Sequence, residues 1–142
     1  MIRTETDYKR AMRERDEQAK RLKAQEQRLK KEGLGRAEVK RAMDPVRSFH
    51  QELVEEIRVY EALKGGDLRA VSRLATLGQQ MVGLRIAKGL SQRDLAARLE
   101  VHESQVSRDE RNEYHGLTLE RAGRIMEALG VRLVPSYVPV SA

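Results

Sequence analysis

Residues 91–111 read SQRDLAARLEVHESQVSRDER. Ser91, with Asp94 three residues on, has the pattern of a helix start in which each side chain serves the other's backbone amide. Leu95 and Leu99 follow one turn apart. A break of three or four residues comes next, and a second helix can start near His102 and carry Val106. Two helices this short cannot enclose a core by themselves, so helices on either side must supply it.

The flanks provide them. Upstream, Leu74, Leu77, Met81 and Leu84 form one face of a helix that stops at Lys88-Gly89. Downstream, Thr118 is placed as an N-cap ahead of Leu119, Ala122, Met126 and Leu129, and Gly130 ends that helix. The tail Val131-Arg132-Leu133-Val134 alternates apolar and basic residues, which predicts a strand. Pro135 and Pro139 restrict the later part of that strand to an edge. A short helix pair set among such neighbours is the setting of a helix-turn-helix. There the first helix crosses a DNA backbone and the second offers polar side chains to the major groove.

The spacing of residues 74–133 resembles the lambda-repressor-like, or Xre-type, helix-turn-helix family. Leu95, Leu99, Val101 and Val106 fall at its apolar positions, and Ala96 at its close helix approach. LRIAKGLSQ (84–92) is similar to the end of its first helix, and LTLERAGRIMEALGV (117–131) to its closing helix. The resemblance implies an all-α fold: long N-terminal helices, then a five-helix DNA-binding domain closed by the short β-strand. It implies Glu103, Ser104 and Arg108 as readers of base edges. Arg suits guanine O6 and N7, and Glu can accept from cytosine N4. Gln92, His102 and Gln105 take phosphate or groove-edge positions. Ser107 and Arg111 are further DNA contacts or, on the plainer reading, helix filling and solvated charge. Arg85 and Glu110 match a structural ion pair between the first helix and the recognition helix. Two residues depart from the pattern. Glu100 stands where the turn normally has Gly, and Asp109 stands at a usually apolar position, where it points at the core or needs a partner.

Residues 1–66 have a different character. From Asp7 to Lys31 there is no Gly or Pro, and helix formers dominate. Met12, Ala19, Leu22 and Leu29 make a thin stripe at coiled-coil spacing, with Arg15 and Glu26 interrupting the seam. Gly33 and Gly35 punctuate the chain. A short helix over 36–43 is expected to stop before Asp44-Pro45, because a residue preceding Pro disfavours helical geometry. Pro45 can open the next helix, where Val46, Phe49, Leu53, Ile57, Tyr60 and Leu63 form an amphipathic stripe that Gly65-Gly66 ends. The string EEIRVYEALKGGDL (55–68) resembles HigA-type antitoxins and their relatives, which implies a possible toxin partner for residues 7–64. The expected domains are a charged helical arm with an amphipathic helix (1–66) and the helix-turn-helix domain with its strand (67–142).

Charge and core separate along the same boundary. Of 142 residues, 35% are charged, against roughly 25% in an ordinary domain, and the net charge is +6. Residues 1–43 carry 14 basic and 8 acidic groups, whereas residues 67–142 carry 11 and 9. The C-terminal segment holds 23 large aliphatic residues, and residues 1–43 hold 8. The charge therefore marks the arm, and the helix spacing marks the DNA-reading segment.

Zero Cys excludes disulfides and thiol or Cys–metal chemistry and agrees with a reducing, cytoplasmic setting. No apolar run suggests a membrane span or a secretory leader. His50, His102 and His115 lack metal-ligand spacing, and no phosphate loop or catalytic triad appears, so neither a cofactor nor an enzyme is expected. The leading expectation is a dimeric repressor that reads double-stranded DNA near residues 102–111. The alternatives are an antitoxin that also represses its own operon, and a helical interaction protein without specific DNA binding.

Overall fold

The computed structural model describes residues 1–134 and Pro139. Seven helices and no strand lie among the described residues. The chain divides into two compact units, Met1–Gly65 and Gly66–Ala142.

The first unit is a hairpin of α1 (Glu5–Lys31) and α2 (Arg36–Lys64). Thr4 caps α1 by accepting from the Asp7 amide at 3.1 Å. Glu5 and Asp7 in its first turn and Arg28, Lys30 and Lys31 in its last complement the helix dipole. Gly33, at φ 86°, makes the turn. Glu38 reaches back to the Gly35 amide to start α2. Cross-links run antiparallel: Tyr8 to Glu61 at 2.7 Å, Gln18 to His50 at 3.2 Å, and Glu26 to Arg47 at 2.8 Å. The Tyr8 and Tyr60 rings stack with centroids 5.1 Å apart.

Two expectations change here. The helix does not stop before Asp44-Pro45; α2 runs through both residues. Proline removes one intrahelical bond, the one its N–H would have made to the Arg41 carbonyl. Val39 and Met43, buried six and two residues before Pro45, anchor the helix on one side of the break, and Arg47, paired with Glu26 of α1 at 2.8 Å, anchors it on the other. Continuity also shifts the apolar phase. Met43, Arg47, His50 and Leu53 face the seam, so Val46 and Phe49 fall one position outside it and are exposed. On α1 the inner face is Ala11, Arg15, Gln18, Leu22, Gln25 and Leu29, while Ala19 is exposed.

The second unit contains α3 (Leu68–Ser72), α4 (Leu77–Ala87), α5 (Gln92–Leu99), α6 (Glu103–Arg111) and α7 (Leu119–Ala128). Side chains of Asp67, Thr76, Ser91, His102 and Thr118 accept from the first-turn amides of these five helices. Met81, Val82, Ile86, Leu95, Val106, Tyr114, Ile125 and Leu129 are among the buried side chains that fill the core.

The buried face of α4 differs from the expected one. Leu77 is exposed, Leu74 and Leu84 are half-buried, and Val82, Arg85 and Ile86 turn inward with Met81. Gly78 explains this rotation. A Cβ there would lie 2.0 Å from the Glu113 carbonyl oxygen, so the backbone approaches at this position and brings the 78/82/85/86 side inward. The expected strand is absent from residues 131–134, where Leu133 and Val134 are exposed and nothing among the described residues pairs with them. A lone strand leaves its backbone groups without partners. The remainder of that predicted strand, with Tyr137, lies outside the described residues.

Candidate nucleic-acid interface

Helix α5, the turn Glu100–His102 and helix α6 form a continuous helix–turn–helix. The capping box predicted at Ser91 is present: the Asp94 amide donates to Ser91 Oγ at 3.1 Å, and the Ser91 amide donates to Asp94 at 2.8 Å. The Ser91 hydroxyl also donates to Asp94, and these bonds hold the Asp94 carboxyl below the usual carboxylate range. Glu100 ends α5 with φ 56° and ψ 40°, the left-handed geometry that favours Gly. Glu100 thus adopts the left-handed turn itself, with the steric strain that geometry imposes. His102 caps α6 by accepting from the Ser104 amide through Nδ1 at 3.2 Å.

Helix α6 is held on one side by Val106 and Glu110, both buried. Arg85 Nε and Nη2 donate to the two Glu110 oxygens at 2.5 and 2.7 Å. Arg85 Nη1 also donates to the Leu90 carbonyl, and Gln92 Nε2 donates to Glu110 at 2.8 Å. One carboxylate therefore ties together α4, α5 and α6. Gln92 spends its amide nitrogen on this network.

Asp109 finds its partner outside the motif. Arg121 of α7 donates to Asp109 Oδ2 at 2.5 Å. With its amide oxygen toward the same guanidinium, Gln105 accepts from Arg121 at 2.7 and 3.2 Å. Gln105 therefore faces α7 rather than the open surface. Glu103, exposed in the first turn of α6, is met by Arg93 of α5 at 3.3 Å. Arg93 is 83% exposed along its side chain. Sequence reasoning passed it over, although its place directly after Gln92 in the first turn of α5 was the available signal.

His102, Glu103, Ser104, Arg108 and Arg111 are exposed, while Gln92, Gln105 and Ser107 are half-buried. All three acids of α6 are matched by arginines from other helices: Glu103 by Arg93, Asp109 by Arg121, Glu110 by Arg85. The side chains of Arg108 and Arg111 make no hydrogen bond or ion pair among the described residues. The outward side of α6 thus carries two available guanidinium groups in its last turn, and the capped first turn at its other end is the positive end of the helix dipole; each favours phosphate.

A family model described as helix-turn-helix, of the lambda-repressor-like Xre type, matches residues 84–135. The match begins near the end of α4 and takes in α5, α6 and α7. It supports a DNA-binding role in transcription regulation. No curated protein and no solved structure matches the chain. No helix among the described residues is long and apolar enough to cross a membrane.

Proposed function

We propose that the chain acts by binding rather than catalysis, as a sequence-specific DNA-binding transcriptional repressor that works as a dimer. Helix α6 enters the major groove. Arg108 reads a guanine edge, and Glu103 and Ser104 contact neighbouring bases. Arg93, His102 and Arg111 hold phosphates, with Gln92 and Ser107 at the groove rim. A second copy presents the same helix about one DNA turn, ~34 Å, away.

The observation that carries this reading is the neutralisation of every acid on α6 by an arginine from another helix. A helix with three acids and two arginines is unsuited to a phosphate surface until those acids are matched. Once they are, Arg108 and Arg111 remain on the open face.

Selection of bound duplexes from a random pool tests the proposal. A palindromic consensus is expected. Glu103→Ala with Arg108→Ala should abolish preference for that consensus and leave the helical circular dichroism unchanged. Preference that survives the double substitution sinks the assignment of α6 as the reader.

A further inference from the structure

The α1–α2 hairpin carries a face that its own packing does not use. Seven apolar side chains are buried in this unit: Ile2, Ala11, Val39, Met43, Ile57, Tyr60 and Leu63. They lie toward the two ends of the seam. Its middle is polar, with Gln18 bonded to His50 and Glu26 to Arg47. Beside that polar stretch, Phe49 is 62% exposed and Val46 39% exposed. A groove of about 320 Å³ opens there, lined by Glu14, Gln18, Arg21, Leu22, Val46 and Phe49 among others. Single exposed apolar residues are ordinary, but a Phe and a Val grouped around a groove mark an interaction surface.

We propose that this face binds a second copy of the chain, Phe49 against Phe49, about a two-fold axis perpendicular to the helices. The inference rests on the dimeric reading above and assigns it a surface. The order of charges selects the partner and the axis. Glu14 and Arg21 lie seven residues apart on the same side of α1, about 10.5 Å along it, with Gln18 between them. Among the described residues Glu14 accepts a neutral bond from Gln18, at 3.2 Å, and Arg21 pairs with Glu17 at 3.9 Å on an open surface. An axis perpendicular to the helices inverts the copy end for end. It sets Glu14 against the second copy's Arg21, and Arg21 against its Glu14. An axis parallel to the helices would set like charge against like. The result is an antiparallel four-helix bundle, an isologous contact in which each complementary pair occurs twice.

Sedimentation equilibrium of the full chain and its variants tests this. The unaltered chain is expected to be a dimer. Phe49→Asp should weaken association by at least about a hundredfold, since two buried Phe side chains are lost at once. Its helicity should be unchanged, because Phe49 lies outside the hairpin seam. Glu14→Arg or Arg21→Glu alone should weaken the dimer about tenfold, each creating two like-charge contacts. The two together should restore most of the loss, an outcome that misfolding does not imitate. A monomeric native chain, or a dimer indifferent to Phe49→Asp, overturns the proposal. A double charge variant no better than the singles overturns the axis. Selectivity on the duplex pool is scored separately. A Phe49-dependent dimer without base preference supports this surface and sinks the DNA reading, and base preference in a chain that does not dimerise here does the reverse.

Discussion

Asp109 of α6 and Arg121 of α7 form an ion pair of 2.5 Å across the end of α6. Their side chains are 25% and 39% exposed, so the pair is only partly screened by water. It occupies a place where the family resemblance implies an apolar contact. Arg121→Ala leaves Asp109 half-buried without a cation and should cost about 1 kcal/mol. Adding Asp109→Leu should recover most of that loss by supplying the apolar contact instead. Urea unfolding of the two variants checks both values, and an Arg121→Ala protein as stable as the parent refutes the pairing.

Glu110 is fully buried, and its partner Arg85 nearly so. Removing one member of a buried pair strands the other charge, at a cost of about 3–5 kcal/mol. Glu110→Ala should therefore unfold much of the Gly66–Ala142 unit at temperatures the parent tolerates. The hairpin's helical signal should persist in the same melt. A midpoint for the second unit within a degree or two of the parent would falsify the role given to this carboxylate.

The left-handed turn at Glu100 makes a prediction of opposite sign. Glycine adopts that geometry without the Cβ clash, although it also has more freedom to lose on folding. Glu100→Gly should leave a net stabilisation of about 0.5–1 kcal/mol, measured by chemical denaturation. A loss of stability would mean that the Glu100 side chain contributes something its geometry does not reveal.

Asp94 sets a pH dependence. Hydrogen bonds from the Ser91 hydroxyl and amide lower its folded pKa below the ordinary value. The capping contribution is therefore full above the ordinary Asp range, near pH ~3.9, and is lost as pH falls through the lowered value. Amide exchange at Ser91, followed by NMR down an acid titration, should accelerate only at the bottom of that range. In Asp94→Ala the same amide should exchange rapidly at every pH, and equal protection in both proteins would refute the capping box.

What the sequence made legible was local. Ser91 with Asp94 and Thr118 with the apolar run behind it declare helix starts within four residues, because the bonds that define a cap are short in sequence. The helix-turn-helix spacing is legible for the same reason. Pro45 misled, because a local rule about the residue before proline was outweighed by packing on both sides of the break. Leu77 misled because the inward side of α4 is chosen by Gly78 meeting Glu113, residues 35 positions apart. The partners of Asp109 and Glu103 lie 12 and 10 positions away on other helices, so no pattern along one helix discloses them.

The grip on α6 bears on how this protein could change its target. Val106 and Glu110 hold the helix from within, and the backbone contact between Gly78 and Glu113 fixes the segment that leaves it. None of these positions coincides with Glu103, Ser104 or Arg108, the proposed readers. The helix is thus a mount and an interchangeable head on one nine-residue segment. On the proposed reading, variation at the head redirects the recognised sequence without disturbing the mount, whereas position 78, on another helix, admits no side chain at all.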